Sequence, residues 1–114
     1  MRRLEGKIAW ITGAGSGIGE AAAIALAAEG AKVILTGRRK EPLDAVAAKI
    51  KAAGGSALVK PGDLTKAATA SRIAATIKQK YGRLDVLVNN AGLNILARSW
   101  RQLEASGADQ VLDA

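Results

Sequence analysis

The sequence contains no cysteine and no histidine, and aromatic side chains make up only 3% of its 114 residues. Without cysteine there is no disulfide framework and no thiolate metal site, and without histidine the usual imidazole base or ligand is missing. No apolar run approaches the roughly 18 residues that a membrane span needs. We therefore expect neither a metal site nor a membrane partner, and we expect a cytoplasmic location.

What the sequence does contain favours a single domain with a core, because 49% of its residues are hydrophobic. Much of this fraction is alanine, which together with glycine suits close packing of helices on a sheet. Trp10 lies within the first apolar run and is predicted to be a core residue. The net charge is +7, but the basic residues are spread over helix-like segments without interleaved aromatics, which favours solvated helix faces over nucleic-acid binding.

Strand-like and helix-like segments alternate along the chain. Short apolar runs at residues 7–12, 32–36, 57–60 and 84–88 predict four strands. Helical spacing predicts one helix over residues 17–29, a second with Pro42 in its first turn, and a third that Thr65 caps and Gly82 ends. Because such alternation requires right-handed crossovers, we predict an α/β fold over residues 1–114, a Rossmann-type doubly wound parallel sheet in three layers with strand order 3-2-1-4.

A glycine-rich loop directly follows the first strand and opens the first helix, where free backbone N–H groups favour a phosphate. Gly13 can make the sharp exit from the strand, Gly17 can let the backbone approach a pyrophosphate, and Gly19 can let the helix pack closely on the sheet. Ser16 and Ile18 lie between these glycines. The spacing departs from the general G-x-G-x-x-G fingerprint, although the strand-loop-helix context is retained.

Two motifs resemble those of one enzyme family. Residues 12–19 match T-G-x-x-x-G-I-G, residues 89–92 match N-N-A-G, and an Asp-Leu pair lies between them. The whole chain thereby resembles the N-terminal portion of a classical short-chain dehydrogenase/reductase. The resemblance implies hydride transfer between a nicotinamide cofactor and a carbonyl or alcohol, with a Tyr-x-x-x-Lys pair and a Ser as the catalytic residues.

The end of the second strand predicts which nicotinamide cofactor is bound. An acidic side chain at this place would bond a ribose 2′-hydroxyl, but Gly37 occupies it and Arg38 and Arg39 follow. Because guanidinium groups suit a 2′-phosphate, NADP(H) is predicted over NAD(H), and similarity to family members with Gly-Arg here favours Arg38 first. The alternative is that both arginines only solvate a loop.

The resemblance also implies roles for residues after the third and fourth strands. Asp63 would accept a hydrogen bond from the adenine amino group and Leu64 would line the apolar face of the ring, although Asp63 alternatively only begins a helix. Asn89 would tie neighbouring strands together, and a purely structural turn is the alternative for residues 89–92. The remaining residues of that motif would run beside the ribose and nicotinamide: Asn90, Ala91 and Gly92.

No catalytic residue is assigned within the chain. Its single tyrosine, Tyr81, is followed four residues later by Asp85 where the motif requires lysine, so Tyr81 is predicted to be a helix-end residue. A helical pattern begins near residues 106–112, so we expect the sequence to stop after the fourth strand, inside a helix and before the catalytic half. The prediction is thus the cofactor-binding part of an NADP(H)-dependent, homo-oligomeric oxidoreductase acting on a small carbonyl or alcohol. The alternative is a non-catalytic, NADP(H)-binding regulatory module.

Overall fold

The computed structural model describes residues 3–90 and Arg101. Within them, strands and helices alternate as the sequence predicts. None of the helices in this part of the chain has the length and apolar content needed to cross a lipid bilayer. The elements in chain order are β1 (Ile8–Thr12), α1 (Gly17–Ala28), β2 (Lys32–Thr36), α2 (Lys40–Ala52), β3 (Ser56–Val59), α3 (Ala67–Tyr81) and β4 (Val86–Asn89).

All four strands run parallel in one sheet, with β1 in the interior. The spatial order is β3-β2-β1-β4, which confirms the predicted order. In the register, Ala9 of β1 pairs with Val33 of β2 on one side and with Val86 of β4 on the other. The chain therefore winds from β1 outward to β3 and then crosses over to β4, so the switch in direction lies beside β1.

The helices cover both faces of the sheet, which gives the predicted three layers. Alternate residues of a strand point to opposite faces, and in β1 Ile11 packs in the cluster formed with α1 and α2 whereas Trp10 packs in the cluster formed with α3. Trp10 is completely buried, as predicted. Because helices cover both faces of the sheet, the residues of β1 before Thr12 are apolar without interruption and do not alternate with polar residues.

The start of α3 corrects one sequence prediction. Thr65 was expected to cap this helix, but the N-cap residue is Lys66, which makes no side-chain cap hydrogen bond. The hydroxyl of Thr65 instead donates to the carboxylate of Asp63. At the other end, Tyr81 is the last residue of α3 and Gly82 follows with φ +80°, as expected of a left-handed helix stop.

Several sequence predictions fall on the rest of the chain. Ala91 and Gly92 of the second motif lie outside the described residues, and so does the helical pattern near residues 106–112. In the described part of the chain, β4 ends at Asn89.

Asp85 joins the beginning of β1 to the beginning of β4. Its Oδ2 accepts hydrogen bonds from the backbone N–H of Ile8, at 2.8 Å, and from Nε of Arg83, at 3.0 Å. Its own backbone N–H donates to the carbonyl oxygen of Ile8 at 2.9 Å. The carboxylate thus extends the pairing of the two strands by one hydrogen bond that the backbone alone does not make.

The titration of Asp85 should make this contact sensitive to acid. Burial is the largest single influence and raises the pKa of Asp85. The hydrogen bonds from Ile8 and Arg83, together with the positive charges of Arg83 and Lys7, outweigh burial and hold this pKa below its ordinary value. A carboxyl whose pKa is lower in the folded state stabilises the fold above its unfolded pKa, and this contribution disappears as the pH falls through the folded value.

We expect Asp85→Asn to reduce the free energy of unfolding by about 1 kcal/mol at neutral pH, the size of one part-exposed charged hydrogen bond. The difference from wild type should shrink as the pH is lowered below about 4. Urea unfolding across a pH series measures both effects. Asp44→Asn, which removes an exposed carboxylate paired with Lys40 on one helix, is the control, and a pH-independent loss in Asp85→Asn would contradict the assignment.

Candidate functional site

The glycine-rich loop turns the chain from β1 into α1. Gly13 and Gly17 have φ angles of +61° and +58°, a left-handed conformation that glycine adopts without a Cβ penalty. Ser16 is the N-cap residue of α1 and has extended backbone, but its side chain makes no capping hydrogen bond. The first N–H groups of α1 therefore have no side-chain cap, which leaves the positive end of the helix dipole open to an anion.

Gly19 brings the first turn of α1 against the loop. A Cβ built on Gly19 would overlap the carbonyl oxygen of Gly13 and would lie 2.7 Å from the carbonyl carbon of Gly13 and 3.1 Å from Cα of Ala14. Only glycine fits this approach. The adjacent Ile18 is 76% exposed.

Backbone hydrogen bonds join the three loops at the carboxyl ends of β1, β2 and β3. The N–H of Ala14 donates to the carbonyl of Thr36 at 3.2 Å, and the N–H of Gly62 donates to the carbonyl of Gly37 at 2.8 Å. The hydroxyl of Thr36 accepts a bond from the indole Nε1 of the buried Trp10, at 2.9 Å. These contacts fix the loop after β2 between the other two.

Two cavities open at this end of the sheet, and Arg38 lines both. The larger, of about 450 Å³, lies between the glycine-rich loop and the start of α2; its lining residues are Gly13, Gly15, Ser16, Gly37, Arg38, Arg39, Pro42 and Leu43. The smaller, of about 230 Å³, lies against the loop after β3; its lining residues are Gly13, Gly37, Arg38, Gly62, Asp63, Leu64 and Thr65.

The larger cavity has two helix N-termini at its walls. Arg39 is the N-cap residue of α2 and, like Ser16 of α1, makes no side-chain cap hydrogen bond. The guanidinium of Arg38 belongs to an exposed side chain. Two helix dipoles and two arginines at one cavity create a positive potential suited to more than one phosphate group.

One carboxylate faces the smaller cavity. Oδ1 of Asp63 lies 3.8 Å from Nε of Arg38, and both side chains are substantially exposed, so this ion pair contributes little stability by itself. The pKa of Asp63 is lowered, first by the hydrogen bond from the Thr65 hydroxyl and then by the bond from the Thr65 backbone N–H, with a smaller effect from Arg38. Asp63 is therefore an ionised acceptor at neutral pH.

Six of the ten predicted site residues that the structure describes line one or both of these cavities. The first three residues of α1 line neither cavity: Gly17, Ile18 and Gly19. Asn90 contacts the glycine-rich loop through a long hydrogen bond from Nδ2 to the Gly13 carbonyl, at 3.5 Å. Asn89 pairs in register with Thr12 of β1. The predicted residues that line a cavity are Gly13, Ser16, Arg38, Arg39, Asp63 and Leu64.

Sequence reasoning missed several lining residues, among them Leu43 and Thr65. Leu43 is completely buried on α2 and also forms part of the larger cavity. Its position in the first turn of a helix that follows a strand end would have been the available signal. Among the described residues, no three acidic side chains come together as a metal site would require.

The sequence matches a known protein family. The model of the short chain dehydrogenase family matches residues 7–114. The chain belongs to the short chain dehydrogenase family. The match begins just before β1 and extends past the second motif, so it includes the residues that line both cavities.

Individual members of the family give the same result. The chain is 42% identical over 114 residues to the 3beta-hydroxysteroid dehydrogenase of Mediterraneibacter gnavus, covering all of this chain and 41% of that protein. It is 43% identical over 90 residues to the 2,3-dihydro-2,3-dihydroxybenzoate dehydrogenase of Bacillus subtilis, covering 79% of this chain and 34% of that one. The chain thus spans about two fifths or less of these relatives.

A solved structure shares the fold. The crystal structure of a metagenomic short-chain oxidoreductase in complex with NADP superposes with a TM-score of 0.76 at 46% sequence identity, covering 79% of this chain and 41% of that one. The agreement supports the α/β architecture of the chain.

Proposed function

We propose that this chain is the dinucleotide-binding part of an NADP(H)-dependent oxidoreductase acting on a small carbonyl or alcohol substrate. The nicotinamide, when bound, supplies or accepts the hydride. The residues of this chain bind and orient the cofactor. The substrate, the catalytic side chains and the expected homo-oligomer of the whole protein stay predictions from the family resemblance.

The observation that carries the proposal is the larger cavity between α1 and α2. A dinucleotide phosphorylated on its ribose needs two anion sites, one for the pyrophosphate and one for the 2′-phosphate. The uncapped N-terminus of α1 on one wall suits the first. Arg38, Arg39 and the start of α2 on the opposite wall suit the second.

The smaller cavity suits the adenine. Arg38 forms its wall toward the phosphate side, Leu64 is a buried apolar part of its lining, and Asp63 presents an ionised carboxylate. In this arrangement Asp63 accepts from the adenine amino group and the planar guanidinium of Arg38 lies between the base and the 2′-phosphate. Asn90 follows β4 and contacts Gly13, on the side of the loop where the ribose and nicotinamide would extend.

Calorimetric titration of the chain with NADPH and NADH tests the proposal. Wild type should bind NADPH at least about tenfold more tightly than NADH, because one charge-assisted phosphate contact is worth about 1.5–3 kcal/mol. Arg38→Ala should weaken NADPH binding by about 10- to 100-fold and change NADH binding by less than about threefold.

Lys51→Ala is the matched control. It also removes one positive charge, but from the C-terminal end of α2, the helix whose N-terminus follows Arg38 and Arg39. It should leave both affinities unchanged at moderate salt. Equal affinity for the two cofactors in wild type would contradict the NADP(H) preference, and binding of neither by the folded chain would contradict the whole proposal.

A further inference from the structure

We propose that Thr65 is a positioning residue for base recognition: it holds one carboxylate oxygen of Asp63 and thereby reserves the other for a hydrogen-bond donor on the purine. The smaller cavity then selects a base that carries an amino group over one that carries a carbonyl oxygen at the same position. The inference rests on the proposed function, since it concerns the same cofactor site.

Thr65 holds Asp63 through two hydrogen bonds to a single atom. Its backbone N–H lies 3.0 Å and its Oγ1 lies 2.7 Å from Oδ1 of Asp63. Nε of Arg38 is nearest the same oxygen, at 3.8 Å. Among the described residues, all these contacts to the carboxylate end on Oδ1, so Oδ2 remains available to a ligand in the cavity that Asp63 and Thr65 line.

Two bonds to one oxygen fix the orientation of a short side chain. A carboxylate held only by the exposed Arg38 ion pair would exchange its two oxygens by rotation, because such a pair is worth little. The Thr65 hydroxyl bond is shorter and charge-assisted, and it comes from a residue two positions along the chain. It therefore contributes more to the orientation of Asp63 than Arg38 does.

Selection follows from the charge state of Asp63. An ionised carboxylate accepts hydrogen bonds and donates none. The Thr65 bonds lower the pKa of Asp63, but an aspartate with an ordinary pKa is ionised at neutral pH as well. An amino group can donate to Oδ2, whereas a carbonyl oxygen in the same place would face an acceptor with no proton between them. A bound base would cover the exposed Asp63 carboxylate, and two acceptors facing each other under that cover would cost more than a lost contact.

The hydroxyl of Thr65 is not used to cap α3, because the N-cap residue is Lys66 and it makes no side-chain cap hydrogen bond. A role confined to the turn would affect folding but not the choice between bases. The two roles can therefore be separated by measuring discrimination rather than affinity alone.

The experiment measures the dissociation constants of NADPH and of its hypoxanthine analogue, in which a carbonyl replaces the amino group. Wild type should prefer NADPH, and Thr65→Val should narrow that preference about three- to tenfold. Thr65→Ser restores the hydroxyl and should restore the preference. Thr76→Val, which removes an exposed hydroxyl bonded to the Arg72 carbonyl within α3, should leave the preference as in wild type.

An unchanged preference in Thr65→Val, or equal narrowing in Thr65→Ser, would overturn the role of Thr65 while leaving the proposed function intact. Equal binding of the two ligands by wild type would likewise overturn it. Failure of wild type to bind either ligand would instead overturn the proposed function and this inference together.

Discussion

Replacement of Gly19 by alanine should lower the free energy of unfolding by about 3 kcal/mol or more, enough to leave much of the protein unfolded. The added Cβ would overlap the carbonyl oxygen of Gly13 and would approach Cα of Ala14 to 3.1 Å. Both neighbours are backbone atoms of a loop fixed by the bond from Ala14 to Thr36, so neither can rotate away as a side chain would. Urea unfolding followed by circular dichroism measures the loss.

Gly17→Ala provides the contrast within the same first turn of α1. A Cβ at Gly17 meets no atom within 4 Å, but its φ is +58°, so alanine there should cost only about 1 kcal/mol of conformational strain. Both substitutions add one methyl group, but they destabilise the protein for different physical reasons: a steric clash at Gly19 and backbone strain at Gly17. Equal destabilisation by both would contradict the steric account of Gly19.

Leu43→Ala should be the other severe change, with a loss of about 2–5 kcal/mol. Leu43 is completely buried in the first turn of α2, and its Cδ2 would lie 3.4 Å from a Cβ placed on Gly37. Truncation leaves a void beside the residue that precedes Arg38. We therefore expect NADPH binding to weaken as well as stability, because the loop after β2 loses its support.

Ile77→Ala separates these two consequences. Ile77 is equally buried but packs on the opposite face of the sheet, in the cluster of Trp10 rather than beside the larger cavity. Ile77→Ala should lower the free energy of unfolding by about as much as Leu43→Ala does. It should leave the NADPH dissociation constant of the folded fraction unchanged. Leu43→Met keeps the volume and should lose less than about 1.5 kcal/mol. Equal weakening of cofactor binding in the Leu43 and Ile77 alanine variants would refute the role assigned to Leu43.

The order and type of the elements were predictable because glycines and apolar runs mark them locally. The strand ends were less so. The fourth strand was predicted at residues 84–88 but is Val86–Asn89, because Asn89 pairs in register with Thr12. The third strand, predicted at residues 57–60, is Ser56–Val59, with Ser56 opposite Lys32. Pairing with a neighbouring strand, and not the local pattern, decides where a strand ends.

Within the candidate site, the loop residues could be found from sequence, but their mutual contacts could not. The bond between Trp10 and Thr36 depends on the parallel register of β1 and β2. Thr65 was misassigned as a helix cap because a threonine before a helix usually serves that role, whereas here a nearby aspartate competes for its hydroxyl. The two-residue spacing of Asp63 and Thr65 permits this turn as well as a helix cap, so the spacing alone does not decide between them.

The position of β1 affects how the chain can fold during synthesis. It is an interior strand of the sheet and also the first of the four to leave the ribosome. Its contact with β2 joins Trp10 to Thr36, 26 residues apart, whereas its contact with β4 joins Ile8 to Asp85, 77 residues apart. Because the nascent chain grows from its N-terminus, one edge of β1 finds its partner early and the other waits for most of this segment to be translated. The unpaired backbone groups along that second edge are where a nascent chain most needs shielding from premature association.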